Sequence, residues 1–420
     1  MEGQRGDPAC QGGDYAVRLY DRLGAFARFT AIALFVTTVV TIGVMWQSAF
    51  WATAVPELAA FALAAAWLIA SLAGAAKLRH PFVLILLVLA AVWPVMQLAA
   101  GVTVYRWATS IMVLYWATGA ALFFVGLQIF SDAAVRKPYL RALVILGFAI
   151  SVIAPLQLFT GDGKIFWIFE VPYTKIVMGP FVYPNQYAAF IELLLPVALT
   201  GIFSDRAGWR TVHGLAAVVM YASIFASHSR AGGILTTLEV LVVPVLAATR
   251  AGISKRQQVL SGLALLAMLA LMSFAVGPDM LIERLAGNES YGGRREFTRS
   301  SLRMIPEKPL LGVGMGNWPA VYPAHATFDD GLFANQAHND WAQWAVEGGL
   351  PFAFLMLAVA VWSVPRAFRT CWGIGVVVVF LHCFVDYPIQ RMGVAVVFFT
   401  MLAAIAFADD RDRAPGGAVL

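Results

Sequence analysis

The sequence predicts an all-α polytopic membrane protein, a single membrane domain over residues 1–420 with about twelve transmembrane helices. Three observations predict it. Hydrophobic residues make up 60% of the chain and charged residues only 13%, whereas soluble domains are charged at roughly a quarter of their positions. Apolar runs of about 20 residues, the length that crosses a bilayer, recur along the chain. Lys and Arg gather in alternate connections between those runs, the pattern that orients membrane helices. The 36 glycines and 20 prolines fit the same class, because neighbouring helices satisfy the backbone groups that such residues free.

Taken in order, the first 25 residues are polar and carry Arg5, Arg18 and Arg22. No short apolar core with a small-residue cleavage site precedes the first long run, so an uncleaved signal anchor is expected. Spans are expected at 27–46, 54–76, 81–100, 107–130, 139–160, 179–203, 211–227, 231–249, 257–276, 340–363, 371–386 and 391–408. The seventh and eighth are short and share the hinge Ser227-His228-Ser229-Arg230-Ala231-Gly232-Gly233. With the N-terminus inside, the inner segments hold Arg5, Arg18, Arg22, Arg28, Lys77, Arg79, Arg136, Lys137, Arg141, Arg206, Arg210, Arg250, Lys255, Arg256, Arg366, Arg369, Arg411 and Arg413. The short outer loops hold only Arg106, Lys164, Lys175, Arg230 and Arg391. Both termini are therefore expected inside. Cys10, Cys371 and Cys383 all avoid the outer side, so no structural disulfide is expected.

One long outer loop, 277–339, breaks the charge pattern with Arg284, Arg294, Arg295, Arg299, Arg303 and Lys308. Long loops cross regardless of charge, so the orientation stands. Stretches 279–286 and 293–305 read as short amphipathic helices, with Phe297, Leu302 and Ile305 facing membrane or helix bundle.

On this topology four polar features share one level: the Arg230 hinge, the basic helix around Arg294, His338, and the turn from Asp386 to Arg391. A basic pocket at a membrane surface suits an anion, and the planar guanidinium fork suits a diphosphate. His338 lies in Asn335-Gln336-Ala337-His338-Asn339-Asp340, at the head of the tenth span. A helix start and nearby arginines oppose positive charge on the ring, and a neutral imidazole can act as a general base. Two readings fit it: a base, or a cap at the interface. Arg230 reads as an anion ligand or a snorkelling cation, and Arg294, Arg295 and Arg299 as ligands or as a lipid-facing basic face. Tyr183-Pro184-Asn185-Gln186 reads as a broken helix start lining a cavity or as an ordinary one. Glu347, on roughly the opposite face of its helix from His338, reads as structural. Asp329-Asp330 reads as a solvated turn rather than a metal pair, and no His/Cys cluster has metal-ligand spacing. Gly312-Val313-Gly314-Met315-Gly316 lacks the Lys-Ser/Thr of a nucleotide phosphate loop.

Four blocks, in order, resemble the O-antigen ligase and O-antigen polymerase superfamily. They are Phe181-Val182-Tyr183-Pro184-Asn185-Gln186-Tyr187-Ala188, then Ser229-Arg230-Ala231-Gly232-Gly233, then Gly293-Arg294 with Pro309-Leu310-Leu311-Gly312-Val313-Gly314, then Ala337-His338-Asn339-Asp340 with Glu347-Gly348-Gly349. The likeness covers 179–390 and makes that stretch the catalytic region, with 277–339 its periplasmic loop. It implies a bacterial inner-membrane glycosyltransferase working at the periplasmic face. The implied donor is a glycan on undecaprenyl diphosphate, and the implied acceptor is lipid A-core or another lipid-linked glycan. No cofactor, no metal and no nucleic-acid partner is implied. By resemblance Arg230 and Arg294 hold the diphosphate and His338 is the catalytic base. The family's tryptophan four residues after the loop arginine is Thr298 here, and Arg295 doubles the charge, so Arg294 and Arg295 are both carried as ligands. Asn185, Asn339, Asp386 and Arg391 are expected in support. A ligase or an exopolysaccharide relative is favoured, with a polymerase as alternative; a flippase for lipid-linked sugars is the rival from another class.

The topology makes a direct prediction. An impermeant thiol reagent added outside should label a cysteine placed at Ser290 and miss one placed at Ser254. The reverse pattern would invert the protein and remove the site from the outer face.

Overall fold

The computed structural model describes residues 8–170, 178–256, 289–327, 331 and 333–407, with side chains from residue 23 in the first helix and from residue 293 in the loop helix. Among these residues it is all helix and turn. The helices are α1 (Pro8–Val44), α2 (Phe50–Leu72), α3 (Phe82–Ala99), α4 (Arg106–Ile129), α5 (Ala133–Thr160), α6 (Pro184–Ser204), α7 (Ala207–Ser227), α8 (Arg230–Arg250), α9 (Glu289–Met304), α10 (Trp318–Val321), α11 (Asp340–Thr370), α12 (Ile374–His382) and α13 (Met392–Ile405).

Eight of the described helices are long and apolar enough to cross a membrane: α1 to α6, α8 and α11. Helices also stand at the seventh, eleventh and twelfth expected spans. However, α7 falls outside that set, α12 has 9 residues and α13 has 14. The ninth expected span, 257–276, lies outside the described residues, as do the amphipathic stretch 279–286 and Asp329-Asp330. The sixth span begins later than expected. Residues 178–181 close a tight turn instead, with Met178 N donating to Phe181 O at 2.9 Å and Phe181 N to Met178 O at 3.0 Å. Pro180 inside that turn has no N–H to give a helix.

α6 is the central post, with 83% of its apolar window buried inside the protein against 22% for α2. A membrane helix surrounded by protein cannot rely on hydrophobic contrast with lipid, so close packing and hydrogen bonds hold it. Tyr187 shows both: it is fully buried, and its hydroxyl bonds Ser223 of α7 and lies 3.2 Å from Ser151 of α5. Trp116 of α4 forms a second knot, meeting Phe352 and Trp344 of α11 edge-on at 5.1 and 6.2 Å and Phe399 of α13 at 6.4 Å. At the bundle's other end Arg141 pairs with Asp205, and Arg250 donates to the carbonyls of Phe368 and Arg369.

The loop 309–317 is fastened into the bundle rather than lying on it. Glu347 Oε2 accepts from Gly316 N at 2.9 Å, and its Oε1 accepts from Trp318 N at 3.0 Å and from Gln343 at 2.9 Å. Gln97 of α3 donates to the carbonyl of Glu347 at 2.8 Å and accepts from Met315 N at 3.0 Å. Asn317 accepts from Tyr105 N at 2.6 Å and donates to Thr109 at 2.8 Å. Buried polar groups need such partners, so the glycine-rich stretch and the ionisable Glu347 explain one another. Gly312 has φ +67° and abuts the carbonyl of Glu347, where a Cβ would collide. Gly312→Ala should therefore lower thermal stability in detergent, by about 1–3 kcal/mol from backbone strain alone. An unchanged melting temperature would show that the loop is not locked.

Candidate functional site

Several helix ends converge at one end of the bundle around a cavity of about 790 Å³. The starts of α6 and α8 bring Asn185 and Arg230, and the end of α7 brings His228. His338 and Asn339 stand at the head of α11, and Asp386 in the turn after α12. α9 contributes Arg294, Arg295, Thr298 and Arg299.

Arg230 reaches this place through tight local packing. Ser229 caps α8 by accepting from Gly232 N at 3.1 Å. A Cβ on Gly232 would strike Ala188, so glycine lets the head of α8 press against α6. On α9, Arg294 is half-buried beside Asp386, whereas Arg295 is exposed at the cavity wall. Phe297 packs against Trp318 and Tyr322, and Leu302 stays exposed. The basic helix is thus anchored by its apolar face to the loop while its arginines line the cavity.

Asp386 is the centre of the arrangement. Its carboxylate is buried, accepts from Asn185 Nδ2 at Oδ2, and accepts from the Tyr387 amide at Oδ1 at 2.9 Å. Arg294 lies 3.6 Å from Oδ2 and His338 Nδ1 lies 3.2 Å from Oδ1. Burial alone would push this carboxyl up. The His338 contact, and after it the charge of Arg294, outweigh burial and hold it well below the usual carboxylate range. Sequence reasoning weighed only positive surroundings for His338; the structure sets a carboxylate against its ring.

His338 is held on several sides. Phe297 stacks over the ring with centres 6.0 Å apart, and Tyr387 meets it edge-on at 4.9 Å. Its Nδ1 is enclosed and close to Asp386, without a straight hydrogen bond among the described residues. The backbone of His338 has φ +51°, rare for a residue with a side chain and a strain that tends to occur at functional sites. The turn is stitched down by Asn339, which caps α11 by accepting from Ala342 N at 3.0 Å. Asp340 N donates to Cys383 O at 2.8 Å and to Asp386 O at 3.2 Å, tying the head of α11 to the Asp386 turn.

Arg391 stands apart from the other expected residues. It does not line the cavity but lies over the rings of Tyr387 at 4.9 Å and Tyr183 at 5.8 Å, and donates to the Tyr387 hydroxyl at 3.1 Å. It therefore backs the aromatic wall. His228, Tyr387 and Phe297 join the site without having been singled out for it, whereas Arg299, read as a ligand or a lipid-facing cation, lines the cavity. Each of the three had a signal in its spacing: two residues before Arg230, next to Asp386, and three after Arg294 on one helix face.

Residues 215–358 match the family model described as O-antigen ligase. This match supports a likeness between that stretch and the O-antigen ligase superfamily. The matched stretch contains Arg230, Arg294, Arg295, His338 and Asn339, so five of the expected site residues lie within it. Asn185, Asp386 and Arg391 lie outside it, yet the fold returns Asn185 and Asp386 to the same cavity. No curated protein matches the chain. The chain is accordingly a multi-pass membrane protein with a central stretch similar to the O-antigen ligase family.

The charge on Asp386 has a measurable consequence. Folding lowers its carboxyl below the ordinary value of 3.8, so the stability it contributes is present above that value and lost as pH falls through the folded one. Between about pH 5 and pH 3 the wild type should lose more thermal stability than Asp386→Asn does. Equal acid sensitivity in the two proteins would show that these contacts do not hold the carboxylate.

Proposed function

We propose that this protein is a membrane glycosyltransferase that moves a glycan from undecaprenyl diphosphate to an acceptor hydroxyl. The proposed acceptor is lipid A-core or a related glycan. The cavity is assigned to the periplasmic face of the inner membrane and both termini to the cytoplasm. The observation that carries this reading is the Asp386–His338 contact placed in one cavity with Arg230, Arg294 and Arg295.

The chemistry follows from that placement. With Nδ1 turned to Asp386, Nε2 is the ring nitrogen left to face an acceptor. It takes the hydroxyl proton as the acceptor oxygen attacks the anomeric carbon. The bond from that carbon to the diphosphate oxygen breaks, and its electron pair stays on the leaving diphosphate. Arg230 and Arg294, with Arg295 beside them, are positioned to meet that charge, and such prepositioned groups act most strongly where water is scarce. Asp386 orients the ring and stabilises the imidazolium that forms, as a buried aspartate does in hydrolase triads. Attack opposite the leaving group inverts the anomeric centre. No metal enters this scheme.

The ionisable side chains inside the spans support chemistry at the cavity over transport through the bundle. Glu192 pairs with His382 and Glu347 holds the 309–317 loop; neither these nor the buried Glu239 lines the cavity.

Transfer by purified protein from an undecaprenyl diphosphate glycan tests the proposal. His338→Ala should lose about a hundredfold to ten-thousandfold in rate with donor binding largely kept, and Gln should not rescue it, since it cannot take the proton. Arg230→Lys should recover only part of what Arg230→Ala loses, because ammonium lacks the planar fork. A divalent chelator should change nothing. A single added glycan unit would mark a ligase, and a ladder of products a polymerase. Transfer that survives His338→Ala but stops on chelation would overturn the mechanism.

A further inference from the structure

Asp386 and Asn185 are delivered by α12 and α6, and these two helices meet again deeper in the bundle. His382 closes α12 one turn before Asp386, and Glu192 stands seven residues after Asn185, about 10 Å further along α6. His382 Nδ1 lies 2.8 and 2.9 Å from the two carboxylate oxygens of Glu192, and both side chains are completely buried. The carbonyl of His382 also accepts from Val385 N at 2.9 Å and Asp386 N at 3.0 Å, so the histidine is part of the turn that aims Asp386. The α12 backbone beside it runs directly against α6, where a Cβ on Gly375 would strike the carbonyl of Glu192.

Stability alone does not explain an ion pair in this place. Two buried charges lose much of their hydration, and well-packed apolar side chains of similar volume often serve a fold as well or better. What apolar packing lacks is direction, because burial energy depends on area and not on angle. An imidazole nitrogen shared between two carboxylate oxygens fixes both the rotation and the slide of α12 on α6. Together with the Asn185–Asp386 bond it makes a two-point clamp across the same helix pair.

We propose that Glu192 and His382 are positioning residues for the transfer reaction. They set the register of α12 on α6 so that Asp386 keeps its contact with His338. This rests on the assignment of His338 and Asp386 to the reaction. The expected signature is a loss in kcat with little change in the donor KM, because the arginine ligands sit on α8 and α9. A displacement of about an ångström can cost up to about a hundredfold in rate.

The test compares His382→Asn, His382→Leu and the double variant Glu192→Met/His382→Leu in the full-length protein. An Asn amide can still donate to Glu192 from near the Nδ1 position. The double variant removes both members of the pair, so neither is left buried without the other, and it is expected to fold even where His382→Leu does not. The double variant should melt near the wild-type temperature yet lose about ten- to a hundredfold in kcat with donor KM within twofold, and His382→Asn should restore most of the rate. Wild-type kcat in a folded double variant would overturn the proposal. So would losses in kcat and melting temperature that run in parallel and that Asn does not repair, since those mark a structural pair only. His338→Ala, measured alongside, separates the two claims: if it keeps full transfer, the catalytic reading fails, whatever the deeper pair does.

Discussion

The site depends on one buried carboxylate. A charge removed from water must be paired and hydrogen-bonded, or the fold cannot hold it ionised. Asp386 meets that demand with Asn185 from α6, His338 from the head of α11, Arg294 from α9 and the amide of its own neighbour Tyr387. Each partner comes from a different part of the chain, so satisfying the carboxylate also assembles the cavity. Any shift in one of these elements leaves a buried charge short of a partner, which makes the arrangement self-enforcing.

Around this centre the fold separates its packed supports from the cavity they frame. α6 is enclosed by protein along most of its length, and its neighbours present helix ends at the cavity. The 309–317 loop is tied to α3, α4 and α11 through Gln97, Asn317 and Glu347, and Trp318 at its end packs on Phe297 of the basic helix. The arginines of α9 are thereby carried on a fixed platform although the helix belongs to a loop. The left-handed backbone at His338 is tolerated because Asn339 and Asp340 fasten the following turn on both sides.

Much of this was legible in the sequence, for identifiable reasons. Long apolar runs and alternating loop charge announce membrane helices by themselves, and among the described residues helices stand where those runs lie. The convergence of Arg230, Arg294, Arg295 and His338 on one cavity was legible because the topology set them at one level and charged groups beside apolar helices are costly. Helix ends were less legible: the start of α6 depends on a turn around Gly179 and Pro180, and α12 is shorter than its apolar run. The partnership of His338 with Asp386 was hidden, because 48 positions separate them and only the α11–α12 packing brings them together. Where Arg391 points was also hidden: it is near Asp386 in sequence but turns to the tyrosines behind the cavity. The pairing of Glu192 with His382 was likewise hidden, because 190 positions separate them and only the fold sets them together.

A double-mutant cycle on His338 and Asp386, read as the rate of single-turnover glycan transfer, tests the central claim most directly. Residues that act as one unit lose their effect together. The account predicts that Asp386→Ala costs much of the rate in the wild type and almost nothing further once His338 is Ala. Losses that multiply independently across the cycle would contradict it and show that Asp386 and His338 do not work as a pair.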